Sequence, residues 1–313
     1  MYIGVDVGGT NLVVGIVNGE GDIIAKAKCP TDTIKPPKAV IGDILRLAAE
    51  ACEKAGVNKA EIKSFGFGTP GTIDFEKGAV INSPNIPLMN NFPLRDTIQA
   101  EWAIPVYLVN DANAAAFGEA FAGSAKGCES MVMVTLGTGI GSGIVLNGKL
   151  MMGFNHIGAE IGHTVVVLDG WECNCGRKGC WEKYASASGL IALTREKMEA
   201  NPDSKLWEIA PTLEAVDGKT AFAAAAQGCS AGKAVVELYL DYLACGVGNL
   251  VNIFQPQVLC IGGGISNEGD ALLLPLIARV EKGSFRHPKN NTEIRIASLG
   301  NDAGIIGAAL AEV

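Results

Sequence analysis

Apolar residues come in short runs broken by glycine, and the runs order into elements. Met1–Val7 and Asn11–Asn18 read as strands flanking Gly8-Gly9-Thr10, with Asp22–Cys29 a third. At Pro36–Gly56 the period changes: Ile41, Ile44, Leu45 and Ala48 share one face of a helix that Gly56 stops. Glu61–Gly68 is a buried strand ending in Thr69-Pro70-Gly71, and Val106–Val109 is another that runs into an alanine-rich helix, Asp111–Gly123. The pattern then begins again. Met131–Leu136 and Ile140–Leu146 form a hairpin around Gly137-Thr138-Gly139, Gly158–Val167 leads into a cysteine-rich loop, and several helices follow. Strand Val258–Ile261, the run Gly262-Gly263-Gly264, a helix near Glu268–Lys282, strand Glu293–Ser298 and helix Ala303–Val313 complete the order.

Strands alternating with helices predict an α/β fold with partly parallel sheets. The two hairpin-first blocks suggest duplicated domains. Residues 1–123 form the first, 124–302 a larger second one holding the cysteine loop, and helix 303–313 packs back onto the first. The polar Asn201–Lys219 segment is expected to be a mobile insertion between helices.

Composition narrows the classes. Forty glycines in 313 residues follow no triplet period, and 48% hydrophobic against 19% charged residues excludes a disordered chain. A net charge of −8 argues against nucleic-acid and anionic-membrane partners. The uncharged stretches Ser130–Gly148 and Tyr242–Asn267 are interrupted by glycines or by Asn, Gln and Pro, so neither reads as a spanning helix. The opening Met1-Tyr2-Ile3-Gly4-Val5-Asp6 has no basic region of a signal peptide. Nine cysteines then imply reduced thiols and a cytoplasmic setting.

Three glycine clusters sit at strand ends. Asp6-Val7-Gly8-Gly9-Thr10-Asn11 is an ordinary hairpin turn or an anion nest, with Asp6 placed to hold a hydrated Mg²⁺. Gly137-Thr138-Gly139-Ile140-Gly141-Ser142-Gly143 reads as a second phosphate clamp, and Gly262-Gly263-Gly264 lies where open sheets bind nucleotides. Taken alone, Asp111 after Asn110 is a helix N-cap. Beside phosphate loops it is a carboxylate able to accept a hydroxyl proton. His163 with Cys173, Cys175 and Cys180 offers three thiolates and one imidazole, the donor set of a closed structural zinc site; a disulfide is the rival in an oxidising compartment. The other six cysteines are expected in the core, and His156 and His287 at the surface. Glu160 and Glu182 flank the metal loop and are either solvated acids or contacts to a polyhydroxylated ligand.

Asp6–Asn11, Asn110-Asp111, Glu160-Ile161-Gly162-His163 and the Cys-x-Cys-Gly-x-x-Gly-Cys-x-Glu run from Cys173 to Glu182 together resemble the ROK family of sugar kinases and sugar-responsive repressors, and within it the bacterial ATP-dependent glucokinases. The resemblance covers essentially the whole chain. It implies an actin-like ATPase (ribonuclease H-like) fold of duplicated α/β domains with a cleft between them. It also implies ATP-dependent phosphorylation of a hexose 6-hydroxyl, glucose foremost, in a homodimer or homotetramer, with N-acetylhexosamine or fructose kinases and a non-catalytic sugar sensor as alternatives. Carried over by position, Asp111 is the base. Gly71, Asn85, Asn110, Asp111 itself, Glu160, His163 and Glu182 meet the sugar. Asp6, Gly8, Gly9, Thr10, Asn11, Gly137, Thr138, Gly139, Gly263 and Gly264 meet ATP and its Mg²⁺. His163 would serve both Zn²⁺ and sugar. Leu88 stands where family glucokinases often carry Trp. The repressors place a DNA-binding helix-turn-helix ahead of the first glycine loop, and here Asp6 leaves no room for one.

Overall fold

A computed structural model describes residues 1–83, 87–285 and 291–311. The strands are β1 Tyr2–Val7, β2 Asn11–Val17, β3 Ile23–Pro30, β4 Phe65–Thr69, β5 Thr72–Asp74, β6 Ala79–Asn82, β7 Val106–Asn110, β8 Met131–Leu136, β9 Ile140–Leu146, β10 Lys149–Leu150, β11 Val258–Gly262 and β12 Glu293–Ile296. The helices are α1 Pro37–Ala55, α2 Leu94–Trp102, α3 Asp111–Phe121, α4 Trp181–Ala185, α5 Ala187–Glu199, α6 Leu206–Ile209, α7 Thr220–Ala226, α8 Ser230–Phe254, α9 Asp270–Gly283 and α10 Asp302–Leu310. Two five-stranded sheets run β3-β2-β1-β4-β7 and β10-β9-β8-β11-β12. The chain divides into two compact units. The first comprises Met1–Met131, Gly143–Ala159 and Ser298–Val313, the second Val132–Ser142 and Glu160–Ala297.

In the first unit β1, β2 and β3 pair antiparallel, while β1, β4 and β7 run parallel. Ile3, Val5, Phe65 and Phe67 share one face of this sheet in register and are all buried, while Gly4 and Gly66 lie on the other. On one face α1 buries Val40, Ile41, Ile44, Leu47 and Ala48 and ends at Gly56 in the left-handed region. Each such Ile or Leu contributes about 1.5–3 kcal/mol. On the other face α10 lies almost on the sheet backbone. A methyl at Gly4 would stand 2.0 Å from the Ile305 carbonyl oxygen, and one at Gly66 1.7 Å from that of Ala308. Glycine is the only residue that admits this contact.

In the second unit β11 and β12 pair parallel beside β8. Trp181 of α4 is fully buried under α8; its indole N–H donates to the Tyr242 carbonyl at 2.9 Å, and Gly246 leaves room for the ring. By length and composition α8 is apolar enough to cross a membrane, while the Tyr242–Asn267 stretch is helical only as far as Phe254. More than half of its most apolar window, 56%, is buried inside the fold. The period of Val235, Tyr239, Leu243, Val247 and Leu250 makes it a core helix.

The segment 201–219 departs from its expected mobility. Leu206, Ala210 and Val216 are buried with Met198, Ala224 and Cys229, so widely spaced apolar residues anchor a polar stretch. The cysteines also divide differently: Cys52, Cys229 and Cys260 are buried, Cys29 and Cys128 half-buried, and Cys245 exposed on α8.

Candidate active site and metal loop

The parallel strands of the first unit bring its two acids together. Asp6 pairs in register with Gly68, and Gly68 with Val109, so the carboxyl ends of β1 and β7 are separated only by β4. Asp6 at the end of β1 therefore faces Asp111 at the start of α3. Burial, and then the charge of Asp111, push the Asp6 carboxyl up to about 6. Asp111 is exposed, yet desolvation by the surrounding protein outweighs its backbone hydrogen bonds and raises its carboxyl above the ordinary range. The helix cap is not Asp111 but Asn110, whose Oδ1 accepts the N–H groups of Ala112 at 3.0 Å and Asn113 at 3.3 Å. Asp111 is thereby left to point outward, with one bond from the Ala112 N–H at 2.9 Å.

The turn Gly8–Asn11 borders a cavity of about 710 Å³ that Asp6, Lys26, Lys28 and Asp302 also line. Gly8 N–H donates to the Asn11 carbonyl at 3.0 Å. Thr31, which sequence reasoning passed over, fixes the turn from outside: its hydroxyl donates to the Gly8 carbonyl at 2.7 Å and its N–H to that of Thr10 at 2.9 Å. No sequence motif marks Thr31, because it sits just past β3. Gly71 has φ 101° and would press a methyl 1.7 Å from the Asn82 carbonyl oxygen, so the turn alone demands glycine there. Asn85 and His287 lie outside the described residues. His156 is exposed and lies against Phe75 in a tilted arrangement, with ring centroids 4.3 Å apart.

The second unit gathers the other set. Gly137 N–H donates to the Gly139 carbonyl at 3.1 Å, and the Ala187 N–H reaches the Gly137 carbonyl at 2.9 Å, tying this turn to the start of α5. Thr138, Gly139, Glu182 and Ser186 line a cavity of about 560 Å³. Glu182 presses on the turn so closely that a methyl on Gly139 would stand 2.5 Å from its Oε2. At the end of β11, Gly263 with φ 83° lies against the Leu136 backbone, and Gly264 opens the short helical turn that follows.

The ligand atoms of His163, Cys173, Cys175 and Cys180 all lie within 4.8 Å of one another. Cys175 and Cys180 sulfurs are 3.6 Å apart, and Cys173 Sγ is 3.7 Å from His163 Nδ1. A tetrahedral zinc with bonds of about 2.0–2.3 Å requires donor separations of roughly 3.5–3.8 Å; these two pairs match that spacing, and the donor set is one that could hold a metal ion. The backbone N–H of Arg177, foremost, holds the Cys175 thiol down at about 6, and the Arg177 guanidinium donates to the His163 carbonyl. Glu182 Oε1 lies 3.6 Å from His163 Nδ1 and 3.1 Å from Cys173 Sγ. The loop thus carries the acid that touches the glycine turn. Glu160 is exposed, three residues before His163, and its carbonyl accepts the His163 N–H at 3.1 Å.

A model of the ROK family matches residues 2–312. A glucokinase of Thermotoga maritima is 39% identical over 98% of this chain and 95% of its own length, and one of Halalkalibacterium halodurans is 36% identical over 98% and 93%. Among solved structures, a ROK family glucokinase from Streptomyces griseus in complex with glucose and AMPPNP is 33% identical with a TM-score of 0.78, covering 98% of this chain and 97% of that one. A ROK hexokinase from Thermus thermophilus, also 33% identical, has a TM-score of 0.82 over 99% and 96%.

Proposed function

The chain belongs to the ROK family, and on that premise we propose that it transfers the γ-phosphoryl group of ATP to the 6-hydroxyl of a hexose, with glucose the preferred acceptor. Its fold is that of the actin-like ATPases. The observation that carries the reaction is the pair Asp6 and Asp111 beside the Gly8–Asn11 turn.

Asp111 is the general base. Its raised carboxyl is better matched to a neutral working pH than an ordinary aspartate, and Asn110 relieves it of capping duty. It takes the proton of the 6-hydroxyl as that oxygen bonds to the γ-phosphorus, and the bond from phosphorus to the bridging oxygen breaks to leave ADP. Gly8, Gly9, Thr10 and Asn11 with Gly137, Thr138 and Gly139 hold the phosphates, and Gly263 and Gly264 border the nucleoside. Asp6 holds the Mg²⁺ that arrives with ATP, and that ion supplies charge neutralisation on the phosphates. Asn110, Glu160, His163 and Glu182, with Gly71 and Asn85, orient the sugar. His163 Nδ1 faces the thiolates, which frees Nε2 for a hydroxyl. Zn²⁺ on His163, Cys173, Cys175 and Cys180 is structural, and those residues fix the ring and the backbone leading to Glu182. The same reading makes the protein a cytoplasmic homodimer or homotetramer.

The test is coupled ADP release across a panel of hexoses and N-acetylhexosamines. Turnover greatest on glucose supports the reading. Preference for N-acetylglucosamine would align the chain instead with the Aliivibrio salmonicida N-acetyl-D-glucosamine kinase, to which it is 33% identical. No ADP release with any sugar overturns it.

A further inference from the structure

Glu119 is fully buried in the second half of α3, and neither sequence motif nor proposed chemistry accounts for it. Its Oε2 accepts the Ser124 N–H at 2.7 Å, the Ser124 hydroxyl at 2.8 Å and the Ser298 hydroxyl at 3.3 Å; its Oε1 accepts the Leu299 N–H at 2.7 Å. A carboxylate removed from water is costly unless its lone pairs are met by donors, and here four donors meet them. The partners are informative. Ser298 and Leu299 are where the chain re-enters the first unit, just before α10 begins at Asp302.

The two helices joined in this way are the two whose first turns touch the acids. Asp111 opens α3. Gly304, in the first turn of α10, lies so close to Asp6 that a methyl on it would be 3.8 Å from the Asp6 Cγ. Between these ends α3 and α10 pack backbone to backbone: a methyl on Gly118 would stand 2.2 Å from the Ala303 carbonyl oxygen, and one on Gly307 1.7 Å from that of Ala114. These small residues are what let the two backbones approach so closely. Glu119 supplies a buried polar tie between α3 and the lead-in to α10. It stands eight residues from Asp111, about 12 Å along the helix. A tilt of a few degrees about that tie would carry Asp111 by roughly 1 Å, a displacement able to cost on the order of 10²-fold in rate.

We infer that Glu119 is a positioning residue which sets α3 against α10 and so fixes the separation of Asp6 from Asp111. The inference rests on the proposed role of Asp111. The charged groups around Asp6 are Asp111 on α3, Asp302 at the start of α10 paired with Lys26 on β3, and, lining the same cavity, Lys28 on β3 with Glu50 and Lys54 on α1; Gly68 on β4 and Val13 on β2 beside it carry no charge. Loosening the helices should therefore change chiefly what Asp6 and Asp111 do to each other.

The experiment compares the kcat–pH profiles of the full-length zinc-loaded protein, Glu119→Gln and Ser298→Ala. The amide that Glu119→Gln introduces has one oxygen for two backbone N–H donors on opposite sides, so one of them is opposed by an NH₂. For Glu119→Gln the expected result is a 10- to 100-fold loss of kcat and an acidic limb moved to lower pH by half a unit or more. The KM for glucose should stay within about twofold and the metal content unchanged. Ser298→Ala, which removes only the longest bond, should move both in the same direction by a smaller step. A Glu119→Gln protein that melts earlier but keeps kcat and the limb overturns the inference. If Glu119→Gln does not fold, Ser298→Ala decides: a shifted limb supports the inference and an unshifted one overturns it. Loss of the limb's link to Asp111, seen as wild-type turnover by Asp111→Ala, refutes the catalytic reading instead.

Discussion

The two glycine hairpins are the same device in different company. In the first, Gly8 N–H closes on the Asn11 carbonyl at 3.0 Å; in the second, Gly137 N–H closes on that of Gly139 at 3.1 Å. The first is braced by Thr31 and followed across the sheet by a raised pair of acids. The second is braced from α5 and pressed by Glu182, an acid held in turn by the metal loop. On the proposed reading, one backbone turn serves charge and the reacting proton, and the other couples a phosphate clamp to sugar recognition. The first turn closes over three residues and the second over two, but the larger difference lies in the neighbours.

The largest expected effect comes from the first hairpin's partner. Asp111→Ala should lower kcat by about 10³-fold while glucose binding by calorimetry stays within a few-fold. Turnover near the parent's would remove Asp111 from its role. Next, Cys175→Ser should lose one equivalent of metal by elemental analysis and raise the glucose KM roughly 10-fold, through the displaced His163 and Glu182. A parent protein without zinc would break the comparison on that side. The hairpins themselves can be set against each other. Gly139→Ala drives Glu182 away and should raise the glucose KM by about 10-fold, whereas Gly8→Ala, 3.0 Å from the Asn11 carbonyl oxygen, should raise the KM for ATP by a few-fold. Equal effects on sugar from both would show that the turns are not specialised.

A pH measurement sharpens the first side further. The folded Asp6 carboxyl is raised from 3.8 to about 6, so the folded state binds more protons between those values. Its contribution to stability is full below 3.8 and lost as pH rises through 6. At pH 8 the ionised acid strains the magnesium-free protein, and Asp6→Asn should stabilise it by about 1–2 kcal/mol after solvent screening, though it abolishes phosphoryl transfer. At pH 4 the gain should vanish; thermal melts at the two pH values check this. The smallest effect is expected at Ala159, which has φ 66°. Ala159→Gly should stabilise by about 0.5–1 kcal/mol in a denaturant titration.

The strands and glycine turns were legible because period and glycine placement are local signals. The spacing of Cys173, Cys175 and Cys180 with His163, and the glycines around Thr138, were likewise local signals of the cluster and the turn found in the second unit. What spacing does not contain is the tertiary partner. Asn110 and Asp111 are equally good caps on paper, and only the β4–β7 register decides that Asn110 caps while Asp111 faces Asp6. Glu119 sits in an alanine-rich helix, and one of its buried partners, Leu299, lies 180 residues away. Residues 201–219 looked mobile because three anchoring side chains were diluted among polar ones.

The seat of α10 on Gly4 and Gly66 has a consequence for how the protein is made. The sheet and α3 leave the ribosome about 180 residues before α10 does, and at roughly 5–20 residues per second the face of β1 and β4 stays uncovered for some 10–35 s. During that interval an apolar sheet with two backbone-deep grooves waits for its cover, and chaperones or a neighbouring nascent chain compete for it. Slow or interrupted translation between α3 and α10 should therefore reduce soluble yield more than the same pause placed after α10.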